Sequence, residues 1–171
     1  LTSFTLSLPI SAQFPTHENT VYYEGRPYLL HVTTDAERKL WKSYGKDVNV
    51  LVMNDMGRNG YYLQKPIAEL MGDFAGAVGI ECVVAAGDIH HFYGVRSVND
   101  PLWTTNYDRV YSHPELMLPW YAVCGNHEYR GNTQAVVDYS TVSSRWRMPS
   151  RYYTKVIKEN GTTLRLILVD T

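Results

Sequence analysis

The chain has 171 residues, which is enough for one domain of ordinary size. Its apolar fraction of 44% and its charged fraction of 19% are those of a globular protein. The formal net charge is −1 and the basic residues are scattered, so neither nucleic acid nor an anionic membrane is expected as a partner.

Residues 1–12 are apolar or hydroxylic and carry no charge. The stretch from Leu8 to Ala12, followed by Gln13, resembles the end of a signal peptide, with Ala12 as the small residue before the cleavage site. The basic segment that opens such a peptide is missing and the first residue is not Met, so we expect an incomplete upstream end. We predict an exported protein, periplasmic or secreted, with a disordered or strand-forming amino terminus as the alternative. No run approaches the ~20 apolar residues of a membrane span.

Residues 13–46 are expected to form a lead-in segment before the main domain. Within it, residues 20–33 predict a β-hairpin, because two runs of aromatic and aliphatic residues flank a turn at residues 24–27. Residues 35–44 have a modest helical pattern that ends at Gly45, a residue type common just after a helix.

The main domain is expected at residues 47–171 and begins with a strand, a helix and a second strand. Residues 48–54 and 82–86 are short apolar runs, typical of strands buried on both faces. Residues 61–78 between them predict a helix that covers the sheet. A right-handed crossover makes the two strands a parallel pair, with their carboxyl ends side by side. The predicted apolar face of the helix consists of Ile67, Leu70, Met71, Phe74 and Val78.

Residues 100–115 are expected to be helical or irregular and to lie at the surface, with Tyr107, Val110 and Tyr111 on their apolar side. They lead to a third apolar strand, which ends at Cys124.

Residues 151–158 and 162–170 predict a second hairpin, because the Asn160-Gly161 dipeptide between them is a strong turn signal. The same asparagine opens an N-glycosylation pattern, but the turn accounts for the dipeptide and we predict no modification there.

The two cysteines are too few for a disulfide framework. Cys82 opens the second strand and Cys124 closes the third, positions where cysteine acts as a small buried apolar residue. We therefore predict two buried free thiols, with a disulfide or a thiolate ligand as the alternatives.

Each of the three strands ends in a loop that opens with metal-binding side chains. In an open α/β sheet, ligands bind beyond the carboxyl ends of the strands, so three such loops can converge on one place. Carboxylate and amide oxygens with one or two imidazoles suit Mn, Fe or Zn and are poor ligands for thiophilic ions. The sequence therefore indicates a metal site. Its candidate residues are Asp55, Asp88, His90 or His91, Asn126 and His127.

The order of these motifs resembles the first half of the calcineurin-like metallophosphoesterases: Asp-x-Gly at 55–57, Gly-Asp at 87–88 and Gly-Asn-His-Glu at 125–128. Within that superfamily the chain is most similar to the purple acid phosphatases, especially the small tartrate-resistant type. One such motif is weak, since Gly-Asp pairs are common at turns, but three in order after strand patterns are specific. Flanking residues that share the resemblance are Gly94-Val95, Asn99-Asp100, Pro119-Trp120-Tyr121, Gly131-Asn132, Tyr139-Ser140, Arg145-Trp146, Pro149, Tyr152-Tyr153 and Asp170-Thr171.

The resemblance implies an α/β fold, a metallophosphoesterase-type β-sandwich flanked by helices. This chain would be its amino-terminal half, with a mostly parallel core sheet. The family completes its metal sites with a later histidine and a Gly-His-x-His motif, whereas no histidine follows His127 here. We therefore expect a chain cut at both ends that is inactive alone. The remaining histidines, His17, His31 and His113, are expected to be structural or exposed.

The activity implied by the resemblance is hydrolysis of phosphate monoesters by metal-activated water at a dinuclear centre. Asp88 would bridge the two ions and thereby act in catalysis, with Asp55 on the first ion and Asn126 on the second. His127 would contact the substrate phosphate and donate a proton to the leaving alkoxide. Glu128 beside it would orient the imidazole and raise its pKa.

His91 is the main departure from the family, which has a tyrosine here whose phenolate binds ferric iron and gives the purple colour. Imidazole is neutral where phenolate is negative, so a trivalent ion is harder to hold. We therefore expect two divalent ions of Fe, Mn or Zn, or a more easily reduced iron. If the loop register differs by one residue, His90 is the ligand instead. Tyr93, further along the loop, is another alternative.

The sequence thus predicts a metal-dependent phosphatase acting on a small phosphate ester or phosphorylated substrate. A phosphodiesterase or nucleotidase of the same superfamily would share every motif found here. If His91 marks the loss of a working metal site, the protein would be an inactive relative that binds phosphate. A purely structural or interaction role would leave the three convergent loops unexplained.

Overall fold

The computed structural model describes residues 20–23, 26–29, 34–44 and 48–171. The predicted signal-peptide remnant, His17, His31 and Gly45 lie outside the described residues. The strands are β1 (Thr20–Tyr23), β2 (Arg26–Leu29), β3 (Val50–Met53), β4 (Cys82–Ala86), β5 (Trp120–Val123), β6 (Trp146–Arg147), β7 (Tyr153–Glu159) and β8 (Thr162–Leu168), and the α-helices are α1 (Asp35–Lys42), α2 (Gln64–Val78) and α3 (Thr133–Asp138).

Strands β3, β4, β5 and β6 form one parallel sheet in that order. The parallel pair predicted for the first two strands is therefore confirmed, with Leu51 opposite Val83. Because all four strands run the same way, the loops that follow β3, β4 and β5 meet at one edge of the sheet. The fold is α/β with a mostly parallel sheet, as the sequence predicted.

The predicted first hairpin is confirmed for the described strands, but its turn is shorter than predicted. Strand β2 begins at Arg26, which pairs with Tyr23, and Pro27 pairs with Tyr22. Both strands are edges of a two-stranded sheet, where the missing N–H of a proline is tolerated.

Helix α1 begins with a capping box. The Thr34 hydroxyl accepts a hydrogen bond from the Glu37 N–H, and the Glu37 carboxylate accepts one from the Thr34 N–H at 2.8 Å. The helix ends at Lys42, before the predicted boundary.

Helix α2 buries a face that is rotated from the predicted one and shares Val78 with it. It begins at Gln64 because Tyr62 and Leu63 have left-handed backbones, with φ of 54° and 69°. Ile67, expected inside, is exposed. A methyl group at Gly72 would lie 2.1 Å from the His113 ring, so small residues let the helix approach its neighbours more closely than leucine or methionine would. The buried face is Gln64, Ala68, Gly72, Ala75 and Val78.

The segment expected at the surface, residues 100–115, supplies much of the core. It contains a π-helical turn, Trp103–Asp108, in which Trp103 and Tyr107 are buried. The Trp103 ring stacks on Tyr139 with centroids 3.6 Å apart. The expectation was wrong because the aromatic partners of this segment lie far along the chain. They include Trp120, Tyr139 and Trp146.

The predicted second hairpin is confirmed as β7 and β8, joined at Asn160 and Gly161, which both have positive φ. One face of the hairpin covers the side of the sheet opposite α2. There, Leu168 packs with Tyr121 and Cys82. The Tyr153 hydroxyl donates to the Ala122 carbonyl at 2.9 Å and so ties the hairpin to β5.

Cys82 and Cys124 are buried and free, as predicted. His113 caps a 3-10 turn, where its Nδ1 accepts a hydrogen bond from the Glu115 N–H at 3.2 Å. Within the described part of the chain, no helix is both long and apolar enough to cross a membrane.

Candidate metal centre

Backbone hydrogen bonds join the first two of the three loops at the carboxyl edge of the sheet. The Asp55 N–H donates to the Gly87 carbonyl at 3.2 Å, and the Met56 N–H donates to the Asp88 carbonyl at 3.0 Å. Three residues after Asp88, the His91 N–H donates to the Gly57 carbonyl at 3.2 Å. The loops after β3 and β4 therefore run side by side.

Glycines allow the second and third loops to touch. A methyl group at Gly125 would lie 2.3 Å from the Asp88 Oδ1 atom, and one at Gly87 would lie 2.9 Å from the Gly125 Cα atom. Both separations are shorter than any ordinary carbon contact. The glycines of the Gly-Asp and Gly-Asn-His motifs are therefore needed for the loops to pack closely at this edge.

Glu128 is fully buried and connects the loops that follow β4 and β5. Its carboxylate accepts hydrogen bonds from the N–H groups of Asp88 at 2.9 Å, His90 at 2.9 Å and Gly125 at 2.8 Å. Burial raises the pKa of the Glu128 carboxyl group, and these backbone donors oppose that rise. The carboxylate is a structural clamp and not, as the sequence suggested, an orienting partner of the His127 ring.

The two adjacent histidines point in different directions. His90 is fully buried against Trp103, with ring centroids 4.4 Å apart, and its Nδ1 lies 3.1 Å from Asn106 Nδ2. Burial lowers the pKa of His90 to about 3, so this ring is neutral at physiological pH. Its place is in the aromatic core.

His91 faces the strand ends. Its Nε2 lies 3.5 Å from the Asp55 Oδ1 atom, and its ring centroid lies 4.1 Å from that of His127. Burial is the main cause that lowers the pKa of His91, and the positive charges of Arg58 and His127 add to it. Among the described residues, its buried Nδ1 atom has no hydrogen-bond partner.

Asp88, His91 and His127 form a cluster in which one ligand atom from each residue lies within 4.8 Å of the others. The His127 N–H donates to the Asp88 Oδ1 atom at 3.1 Å, and His127 Nδ1 lies 2.9 Å from the Phe92 carbonyl oxygen. We call these three residues the Asp-His-His cluster.

The chemistry of the Asp-His-His cluster fits a metal ion. The lowered pKa of His91 favours the neutral imidazole, which is the form that binds metals. The Nε2 atom of that ring, 3.5 Å from the Asp55 Oδ1 atom, is the nitrogen that faces a second candidate ligand. One carboxylate and two imidazoles are ligands that suit Zn, Mn or Fe.

The other predicted ligands lie around this cluster. Asp55 contacts His91, but it is not part of the cluster and its side chain is 56% exposed. The Asn126 side chain is exposed on the loop between Gly125 and His127. The alternative ligand Tyr93 is exposed.

Sequence reasoning missed two contributors, Asn106 and Phe92. Asn106 holds the ring of His90 from within the buried turn, and the Phe92 carbonyl holds His127. A lone asparagine among buried aromatic residues was a usable signal for the first. No side-chain pattern signals the second, because it acts through its backbone.

No protein-family model matches the chain. The chain is 35% identical over 160 residues to purple acid phosphatase 3 of Arabidopsis thaliana, covering 90% of this chain and 42% of that protein. It is 36% identical over 100 residues to purple acid phosphatase 7 of the same plant, covering 58% of this chain and 30% of that protein. Tartrate-resistant acid phosphatase type 5 of Rattus norvegicus is 36% identical over 97 residues, covering 55% and 30% respectively. The chain thus spans less than half the length of these relatives.

A solved structure supports the fold. GAP50, described as the anchor in the inner membrane complex of Plasmodium, superposes with a TM-score of 0.59 at 22% sequence identity. The match covers 72% of this chain and 42% of that one. At this identity the similarity establishes a shared fold and nothing about activity.

Proposed function

We propose that this chain, a homologue of part of the purple acid phosphatases in the calcineurin-like metallophosphoesterase superfamily, serves the hydrolysis of phosphate monoesters. The observation that carries the proposal is the Asp-His-His cluster at the meeting point of the strand-end loops. Asp88 and His127 lie in two of the motifs by which the sequence resembles the family, and His91 stands where the family has a tyrosine.

The proposed ligands are Asp88 as the bridge between two ions, Asp55 and His91 on the first ion, and Asn126 on the second. A pair of divalent Fe, Mn or Zn ions, when bound, supplies Lewis acidity and an activated water. Four protein ligands are too few for two ions of ordinary coordination number. The rest of each coordination sphere is therefore expected from water or from protein beyond the described residues.

His127 is the proposed proton donor to the leaving group. Its Nδ1 is held 2.9 Å from the Phe92 carbonyl, and a carbonyl oxygen accepts only, so this nitrogen carries a proton. In the imidazolium form Nε2 carries the second proton, and this is the one that can pass to a departing alkoxide, leaving the neutral ring with its proton on Nδ1. Asp88, whose carboxylate accepts from the His127 N–H, fixes the loop that carries this ring.

Asp55 and Asp88 share a backbone geometry that suits a ligand at a strand end. Both have left-handed backbones, with φ of 52° and 51°. Aspartate adopts this conformation more readily than larger residues do. A β-branched residue at either position would be strained.

We also propose that the protein is exported. The support is the apolar, uncharged sequence of residues 1–12 with its small residue at Ala12. Fractionation of cells that express the intact protein would test this, since retention of all the product inside the cell would contradict it.

The central experiment measures hydrolysis of p-nitrophenyl phosphate and metal content in the intact protein that carries this chain. Asp88→Ala should lower turnover by several orders of magnitude and lower the bound metal, because both ions depend on this carboxylate. Asp138→Ala is the matched control, since Asp138 is an exposed carboxylate at the end of α3.

Three results would contradict the proposal. Wild-type turnover in Asp88→Ala would exclude the dinuclear mechanism. Intact wild-type protein that binds phosphate but holds no metal and hydrolyses nothing would instead identify an inactive relative. Hydrolysis of bis(p-nitrophenyl) phosphate in preference to the monoester would identify a diesterase.

A further inference from the structure

Arg58 lies in the loop after β3 with its guanidinium group between two aromatic rings. The guanidinium carbon is 4.9 Å from the centroid of the Phe92 ring and 5.6 Å from that of the Tyr62 ring. Both distances fall within the range of cation–π attraction. The rings themselves are 53% and 57% exposed, so this is an aromatic surface with a cation held on it.

The Arg58 backbone is fixed. Its N–H donates to the Gln64 Oε1 atom at 3.1 Å, and Gln64 is buried at the start of α2. The preceding residue, Gly57, accepts a hydrogen bond from the His91 N–H. The arginine is therefore attached to the same loops that carry the Asp-His-His cluster.

The guanidinium group lacks the partners that such a group ordinarily has. Within residues 34–44 and 48–171, no carboxylate forms an ion pair with Arg58 and no acceptor takes a hydrogen bond from its side chain. Arg145 provides the contrast, since its guanidinium lies over Tyr107 at 4.2 Å but also pairs with Asp108 at 3.4 Å and donates to the Tyr111 carbonyl at 2.6 Å. Arg58 has the aromatic contact without the anion.

The position of Arg58 suits an anion at the cluster. The Phe92 ring that it covers lies 5.8 Å from the His91 ring and 6.1 Å from the His127 ring, measured between centroids. Arg58, Asp55 and Tyr62 also line one cavity of about 310 Å³ that opens beside the strand ends.

We propose that Arg58 is a substrate-binding residue that donates to the phosphate oxygens of the ester, and that the Phe92 and Tyr62 rings hold its guanidinium group in position. The inference rests on the proposed function and adds a protein cation to its site. A planar guanidinium presents two parallel N–H donors that match two oxygens of a phosphate group. No acceptor among the described residues takes these donors, so they are available to an oxyanion.

A packing role alone makes a different prediction. An arginine that only covers apolar rings would contribute to stability and leave the affinity for phosphate unchanged. If Arg58 binds phosphate, replacing it weakens the binding of inorganic phosphate. Inorganic phosphate is not hydrolysed, so this measurement does not depend on catalysis. An equilibrium measurement of phosphate affinity therefore distinguishes the packing role from the phosphate-binding role.

The test uses the intact, metal-loaded protein and two readouts. The first is the dissociation constant for inorganic phosphate by titration calorimetry, and the second is kcat and KM for p-nitrophenyl phosphate. Arg58→Met should weaken phosphate binding and raise KM by tenfold or more, with a smaller change in kcat. Arg58→Lys, which keeps the charge and loses the planar fork, should recover part of the loss. Arg165→Met, at an exposed arginine on β8, should change neither value.

A double-mutant cycle tests the positioning role of the ring. Phe92→Leu keeps the backbone carbonyl that holds His127 and removes the aromatic face under the guanidinium group. It should weaken phosphate binding in the wild-type background and have no further effect in Arg58→Met, because the ring would act through the arginine. Equal effects of Phe92→Leu in both backgrounds would overturn the positioning role.

The outcomes distinguish this inference from the function on which it rests. If the wild-type protein hydrolyses the ester while folded Arg58→Met and Arg58→Lys bind phosphate as tightly as it does, Arg58 is a packing residue and the inference is wrong. If the wild-type protein neither binds phosphate nor hydrolyses the ester, both the proposed function and this inference are wrong. Circular dichroism and thermal unfolding of each variant identify any that has not folded.

Discussion

The carboxylate of Glu128 accepts a hydrogen bond from the N–H group of Asp88 at 2.9 Å, although the two residues are 40 positions apart in the chain. A second oxygen of the same carboxylate holds the His90 N–H. The loop that carries the candidate bridging ligand is thus fixed by an acidic side chain that does not itself reach the Asp-His-His cluster.

We therefore predict that Glu128→Ala destabilises the fold. One buried and two partly buried backbone N–H groups would lose their acceptor, and a buried unsatisfied donor costs about 1–3 kcal/mol, so a loss of about 2 kcal/mol or more is expected. Glu128→Gln keeps one acceptor oxygen and should cost less. Urea unfolding measures the effect, with Glu69→Ala on the exposed side of α2 as the control. Equal midpoints for Glu128→Ala and wild type would contradict the clamp.

Gly125→Ala is predicted to damage both the site and the fold. The added methyl group would lie 2.3 Å from the Asp88 Oδ1 atom and 2.4 Å from the Asp88 backbone nitrogen, so the carboxylate and its backbone have to move. A displacement on the order of 1 Å at a reacting centre can cost about a hundredfold in rate. Metal content and turnover of the intact protein are the measurements.

The matched control for that substitution is Gly76→Ala. Its methyl group would meet only the flexible Glu115 side chain, at 3.0 Å from Cγ, and alanine favours the helix. Metal content unchanged in Gly125→Ala would show that Asp88 can shift without consequence, against the prediction.

The third prediction concerns colour. If His91 occupies the position of the family's tyrosine, iron-loaded intact protein should be colourless or pale, because no phenolate is available there for charge transfer to iron. His91→Tyr should produce a visible absorption band and retain ferric iron more tightly, since phenolate adds negative charge. Absorption spectra and the rate of iron loss on reduction measure both effects.

Phe92→Tyr serves as the control for colour, because it adds a phenol one residue away on an exposed side chain. It should leave the spectrum unchanged. An intensely coloured wild-type protein would mean that another tyrosine coordinates the metal, and Tyr93 would be the first to replace.

The fourth prediction concerns Cys82. Burial, with a smaller contribution from Glu81, raises the pKa of this thiol to about 11. At pH 8 only about one thiol in a thousand is then ionised, and the thiolate is the reactive form. A disulfide reagent should label Cys82 far more slowly than the cysteine introduced by Thr163→Cys on the exposed side of β8. Equal labelling rates, followed by peptide mass spectrometry, would contradict the burial of Cys82.

Most strands, and the parallel pairing of β3 with β4, were predictable because local signals specify them, whereas the two-residue strand β6 was not predicted. Apolar runs before Asp55 and Asp88 identify β3 and β4, and the Asn160-Gly161 dipeptide identifies the hairpin of β7 and β8. The buried face of α2 was not predictable from hydrophobicity alone, since Gly72 is buried by the closeness of His113 and not by its own apolar surface.

The identity of the inward histidine also depended on tertiary contacts. His90 and His91 are adjacent, and nothing in the loop sequence separates them. Asn106 and Trp103, which lie more than ten positions further along the chain, hold the first ring in the core and leave the second to face the cluster. Residues this far apart in sequence carry no local signal of their contact.

The parallel order of β3, β4 and β5 has a consequence for how quickly the chain folds. Each parallel pairing joins segments separated by a long crossover, and such non-local contacts slow folding because the loop must close before any contact is gained. Asp88 and His127, 39 positions apart, meet only once β5 has paired with β4. During synthesis the Asp-His-His cluster therefore cannot form until the third strand and its loop have left the ribosome, so the proposed metal site is completed only after the sheet has assembled.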